Sequence, residues 1–192
     1  MSGYDPKKHH RRSIRLKGYD YSRPGAYFVT TCVQDWEWKF GRVVDGRAFL
    51  SREGEIASRC WAEIPQHFSN AVLDEYVIMP NHMHGIIVLE SQEEERTSVG
   101  VEYIQPRHNN LETQIERQNR FQHVIPNPIS SILRSYKAAV TRLCRESGMF
   151  DFRWQRNYYE HIIRNYEALY AIRAYIRNNP AKWTIDHNAW TR

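Results

Sequence analysis

The sequence predicts an α+β domain built on a four-stranded antiparallel sheet, and three observations carry that expectation. Four short segments are rich in β-branched and aromatic residues, and three longer ones repeat apolar residues at helical spacing. The two kinds follow one another as β-α-β-β-α-β-α, with a polar stretch between the third strand and the second helix. Without its final helix, that order is the ferredoxin-like split βαβ pattern, an antiparallel sheet with helices on one face.

The chain opens on a basic arm, residues 1–25, whose segment YDPKKHHRRSIRLKGYDYSRPG interleaves Tyr4, Tyr19 and Tyr21 with lysines and arginines. Pro24-Gly25 is a turn signal that closes it. Residues 26–192 are expected to form one domain. AYFVTTCV (26–33) reads as the first strand. From Ser51 to Phe68, Ile56, Cys60, Ile64 and Phe68 recur at helical spacing, with Glu53 and Glu55 in the first turn.

AVLDEYVIMP (71–80) and HMHGIIVL (82–89) are two strands joined by the short Pro80-Asn81 link, which makes them hairpin partners. Residues 90–123 are polar, mixed in charge and without periodicity, and read as a long excursion. A helix is expected over 128–146, a strand over YYEHIIR (158–164), and a last helix over 165–180. Asn165 is its N-cap and Pro180 its end.

With 41% hydrophobic residues the chain has enough apolar matter for a packed core. Twenty-seven basic against 22 acidic residues give +5 and a pI near 9.1, which suits a polyanionic partner without requiring one. Cys32, Cys60 and Cys144 form no CxxC pair, which points away from a zinc ribbon or a disulfide framework. No apolar run approaches the roughly 20 residues that span a bilayer, and the N-terminus is charged where a signal peptide is apolar. A cytoplasmic protein with reduced thiols is expected, with no membrane partner and no small-molecule cofactor.

His82 and His84 carry the chemistry. Alternation along a strand puts both on one face and Met83 on the other. Two adjacent imidazoles can chelate a divalent ion. Two ligands are too few for a structural zinc site but suit a catalytic metal with open positions. Two partly buried histidines bonded to their neighbours fit the same pattern.

On the last helix, Leu169, Ile172 and Ile176 form the core stripe, and Arg173, Arg177, Tyr166 and Tyr170 fall on the side expected to face solvent. Tyr175 and Asn179, four residues apart, share one margin of the stripe. From there they can reach the histidine face, bringing a phenol and a third ligand. An ordinary boundary tyrosine and a helix C-cap fit the same positions.

MPNHMHGIIVL, WQRNYYEHIIRN and YIRNNPAKW, in that order, resemble the REP-associated tyrosine transposases, a branch of the single-tyrosine HUH nucleases. KKHHRRSIRLKGYDYSRPGAYFVT and SSILRSYKAAVTR are similar as well, so the resemblance covers nearly the whole chain outside 90–123. It implies the HUH nuclease form of the ferredoxin-like fold with a C-terminal catalytic helix, in a bacterial protein that associates with the nucleoid when bound to DNA.

By the resemblance, His82 and His84 are the HUH pair, Tyr175 the nucleophile and Asn179 the third metal ligand, with Asn178 beside it as the other carboxamide. The implied cofactor is a divalent metal, Mg²⁺ or Mn²⁺. The implied partner is single-stranded DNA beside palindromic hairpins, handled by a monomer or a dimer. Arg11, Arg12, Arg15 and Lys17 of the arm suit phosphate contacts, and the resemblance adds Arg153, Trp154 and Arg156. The expected reaction is cleavage through a 5′-phosphotyrosine intermediate. The alternative is a catalytically silent hairpin-binding protein on the same fold.

Overall fold

The computed structural model describes residues 23–90 and 128–187, with side chains through Trp183. The basic arm up to residue 22 and nearly all of the 90–123 excursion lie outside the described residues. Four strands form the main sheet: β1 (Gly25–Cys32), β4 (Ala71–Met79), β5 (His82–Leu89) and β6 (Tyr159–Ile163), in the order β4-β5-β1-β6. All neighbours are antiparallel. This is the ferredoxin-like order, as the alternation of elements predicts.

The crossover from β1 to β4 carries α1 (Arg52–Ala62) and α2 (Ile64–His67), and the one from β5 to β6 carries α3 (Ile129–Glu146). Right-handed crossovers of a common sheet place their helices on one face. Tyr27, Val29, Met83 and Ile87 meet Trp61 of α1 and Ile132, Leu133 and Val140 of α3 there, all of them buried. Ser51 caps α1, its Oγ accepting from the Gly54 N–H at 3.2 Å.

Gly85 is explained by this packing. A Cβ at that position would lie 2.3 Å from Trp61 Cζ2, so the residue after the second histidine is bare because an indole presses on it.

The last helix, α4 (Tyr166–His187), lies on the opposite face. Phe28, Ile86, Val88 and Ile163 of the sheet pack against its Leu169 and Ile176. Asn165 caps it as expected, its Oδ1 accepting from the Ala168 N–H at 2.8 Å.

The structure departs from the sequence reading in four places. Residues 41–50 form a hairpin, β2 (Gly41–Val44) and β3 (Arg47–Leu50), where no strand was expected. Asp45 and Gly46 at its tip both have positive φ, 49° and 71°, the signature of a tight hairpin turn that an Asp-Gly pair favours. The helix expected over 51–68 breaks at Glu63, with Pro65 in the first turn of the second piece.

The last helix does not stop at Pro180 but continues to His187. An internal proline removes one helical hydrogen bond and costs about 3 kcal/mol. Packing on both sides offsets that loss: Trp183 is buried, and Gly46 of the hairpin turn sits against Ala181.

Finally, Arg173 and Arg177 do not simply face solvent. Asp74 and Glu75 together oppose Ile86 in a bulge of the edge strand β4. There Arg173 Nε bonds Asp74 Oδ2 at 2.9 Å and Arg177 Nε bonds Glu75 Oε1 at 3.1 Å. Arg173 is thereby largely covered, while Arg177 and Tyr170 on the same side stay exposed as expected.

Candidate active site

The register of the sheet builds the site. Thr30 pairs with His84, and Cys32 with His82, so alternation points both imidazoles toward α4 while Met83 and Ile87 enter the other core. His84 is buried and its ring is held on three sides. Thr30 Oγ1 lies 2.7 Å from Nδ1, Phe28 stacks on it with centroids 5.3 Å apart, and the Tyr175 hydroxyl lies 3.2 Å from Nε2. The phenol of the last helix therefore meets the second histidine, the juxtaposition the wheel argument requires.

His82 lies 4.6 Å from His84, centroid to centroid. Its Nδ1 is 2.7 Å from Asn81 Oδ1, and its ring meets Trp36 edge-on at 6.3 Å and Trp183 at 5.9 Å. Burial pushes the His82 imidazole down to about 4. His84 is held well below the ordinary histidine value, first by burial and then by its neighbour His82. Both rings are therefore neutral near pH 7, the form in which imidazole binds a metal.

Asn179 is 2% exposed, whereas Asn178 is exposed. Tyr175, Asn179 and Trp183 are spaced i, i+4, i+8 along one stripe of α4. The two ends of that stripe touch His84 and His82, so the carboxamide between them lies on the face turned to the pair. No group of three or more His, Cys, Asp and Glu side chains is assembled among the described residues. The donor set on offer is thus two neutral imidazoles and one carboxamide oxygen, which fits a divalent ion that keeps open positions for oxygen ligands.

The remaining predicted residues divide. Arg153 and Arg156 are exposed beside the end of β1, where the Gln34 N–H donates to the Arg153 carbonyl at 2.9 Å. Trp154 is half-buried against Phe40, Phe152 and Tyr136, and its Nε1–H donates to the Lys137 carbonyl at 3.1 Å. Its part in the described structure is packing. Arg11, Arg12, Arg15 and Lys17 lie outside the described residues.

Sequence reasoning missed Thr30, Phe28, Asn81, Trp36 and Trp183. Thr30 and Phe28 were open to it, as alternate positions on the strand that pairs with the histidines. Trp183 was hidden by the assumption that Pro180 ends the helix.

Along 184 residues the chain is 41% identical to a protein of Haemophilus influenzae of uncharacterised function, a match covering 95% of each chain. Among solved structures, the REP-associated tyrosine transposase bound to a REP hairpin superposes with a TM-score of 0.56. That match has 18% identity and covers 88% of this chain and 74% of that one. The likeness is one of fold. No protein-family model matches the chain.

Proposed function

We propose that this chain, which belongs to one family with the Haemophilus influenzae protein and has the fold of a REP-associated tyrosine transposase, is a metal-dependent single-strand DNA endonuclease and strand transferase. The observation that carries the reading is the 3.2 Å approach of the Tyr175 hydroxyl to Nε2 of the buried His84, on the helix that also carries the buried Asn179. A tyrosine that is 41% exposed, on a rigid helix next to two histidines, is placed to meet a substrate as well as the protein.

Tyr175 Oη attacks the scissile phosphorus. A P–O bond to the phenol oxygen forms as its O–H proton passes to solvent, the P–O3′ bond breaks, and the 3′ oxygen takes a proton from solvent and leaves as a hydroxyl. The product is a 5′-phosphotyrosine, whose bond energy is retained for rejoining by attack of a 3′-hydroxyl. A free phenol is mostly protonated near pH 7 and is a weak nucleophile without help.

His82, His84 and Asn179 would hold a divalent ion, Mg²⁺ or Mn²⁺, whose contribution is to polarise a non-bridging phosphate oxygen and fix the phosphate in line. In the form with its proton on Nδ1, toward Thr30, His84 has one lone pair, on Nε2. A metal-ligand role for His84 would use the same Nε2 that the Tyr175 hydroxyl faces at 3.2 Å, so the phenol and an ion would compete for that nitrogen. Thr30 and Phe28 hold the ring in place whichever group faces Nε2.

The geometry supports a substrate class that agrees with the REP hairpin bound in the solved transposase of like fold. The phosphate must come between a helix and a sheet face, which favours an unpaired strand flanking a hairpin. Arg153 and Arg156, with Arg11, Arg12, Arg15 and Lys17 of the arm, supply cations for the backbone.

The test is incubation of the full chain with labelled hairpin-flanked single-stranded DNA and Mg²⁺ or Mn²⁺, resolved on a denaturing gel. Wild type is expected to yield a protein-linked fragment, and His82→Ala to abolish cleavage while keeping hairpin affinity within about threefold. Hairpin binding by wild type without any adduct would favour the silent binder. Loss of binding and cleavage together in His82→Ala would make the histidine structural.

A further inference from the structure

We infer that Asn81 is a positioning residue that decides which nitrogen of His82 carries its proton, by tying the ring to the backbone of the Gln34–Trp36 turn. Asn81 would thereby orient a ligand of the proposed site, and the proton position on His82 holds whether or not the chain carries out that reaction. Asn81 is 9% exposed, and its carboxamide has two neighbours. On one side is the Trp36 carbonyl, 3.3 Å from Nδ2. On the other is His82 Nδ1, 2.7 Å from Oδ1.

A backbone carbonyl only accepts, so the amide must turn its NH₂ toward Trp36. That leaves Oδ1, also an acceptor only, against His82 Nδ1, and Nδ1 must carry the hydrogen. In a neutral ring the lone pair then sits on Nε2. The orientation follows from the carbonyl, which has no second option, and not from a choice between two equivalent amide placements.

Both ends of the relay are fixed. The Asn81 carbonyl accepts from the Val33 N–H at 2.8 Å, and the preceding Pro80 carbonyl accepts from the Phe40 N–H at 2.9 Å. At the other end, Asp35 and Trp36 both have positive φ, 53° and 59°. Two consecutive non-glycine residues in that region are uncommon, and such strain gathers where the backbone must present a group in one direction. Here the turn presents the Trp36 carbonyl to Asn81 and the Trp36 ring edge to His82.

His84 is treated differently. Its two partners, Thr30 and Tyr175, are hydroxyls that donate or accept. The structure thus holds one histidine in a single tautomer and leaves the other free to adjust to what Tyr175 does. Histidines that bind metals commonly have their second nitrogen fixed by such an outer partner, and loss of that partner costs 10- to 100-fold in affinity.

The test is long-range ¹H–¹⁵N NMR of the histidine rings in the full chain at pH 7.5, without added metal. Wild-type His82 is expected as the Nδ1–H form. Asn81→Asp retains an acceptor and should keep that form, whereas Asn81→Ala should bring up Nε2–H. Titration with Mn²⁺ alone should show 10- to 100-fold weaker binding by Asn81→Ala than by wild type.

An Nε2–H signal for His82 in the wild type overturns the inference, as does an unchanged Nδ1–H form in folded Asn81→Ala. If Asn81→Ala does not fold, the wild-type and Asn81→Asp spectra decide. A tautomer that shifts as expected in a protein that neither binds Mn²⁺ nor cuts DNA upholds the relay and sinks the proposed reaction. Cleavage by a protein whose tautomer ignores Asn81 does the reverse.

Discussion

The two faces of the sheet are built from the same strands but do opposite work. On the α1/α3 face, Tyr27, Val29, Met83 and Ile87 join the helices in a continuous apolar core. On the α4 face the apolar contact through Phe28, Ile86, Val88, Leu169 and Ile176 covers only part of the surface. The rest is given to His82, His84, Tyr175 and Asn179. Strand β5 serves both faces, one through its odd and one through its even positions. The comparison shows a largely desolvated histidine pair, His84 buried and His82 partly so, held on a strand whose other face is anchored by packing. Desolvating imidazole has a cost, and here the core on the far side offsets it.

That contrast can be broken by substitution. The largest effect on stability is expected from the first face: Leu133→Ala, at a fully buried position, should cost about 2–5 kcal/mol in denaturant unfolding. Tyr175→Phe on the second face should stay within about 0.5 kcal/mol of wild type. Comparable losses from both would show that the α4 face is an ordinary core. Gly85→Ala links the faces, because its methyl meets Trp61 directly behind His84. A loss of about 1–3 kcal/mol by thermal or chemical unfolding is expected.

The next effect in size depends on pH. Both histidines have folded-state values below that of the unfolded chain. The unfolded state therefore binds more protons below pH 6.5, and stability falls as pH drops from about 6.5 toward 4. The metal-free protein should lose about 1–2 kcal/mol over that window, the partly exposed ring of His82 tempering the shift. A double change of His82 and His84 to Gln should flatten the curve. The smallest effect belongs to the exposed Arg142–Glu146 pair on α3, at 2.9 Å. Glu146→Gln is expected to change unfolding by about 0.3–0.5 kcal/mol.

Much of this was legible in the sequence because periodicity reports which face a residue occupies. Alternation in HMHGIIVL separated His82 and His84 from Met83, and four-residue spacing put Tyr175 with Asn179. The β4-β5-β1-β6 order also followed from the succession of elements. Less legible were features set by contacts between distant segments. The β2–β3 hairpin has strands of four residues with exposed Val44, Phe49 and Leu50, so no apolar pattern announces it, and only Asp45-Gly46 signals a turn. Helix α4 passes Pro180 because Trp183 and Ala181 find partners elsewhere. Asn81 looks like a turn residue in Pro-Asn, and its bond to His82 depends on where the Trp36 carbonyl lies.

The central claim is that Tyr175, set against the histidine pair, is the residue that takes the phosphate. Tyr159 offers the sharpest comparison, since it is 39% exposed on the same face and edge-on to the same Phe28 at 6.3 Å. Digestion of the trapped protein–DNA species and sequencing of the nucleotide-bearing peptide by mass spectrometry separates the two. The account predicts the nucleotide on Tyr175, with no adduct in Tyr175→Phe and an undiminished one in Tyr159→Phe. A nucleotide on Tyr159, or an adduct that survives Tyr175→Phe, would contradict it.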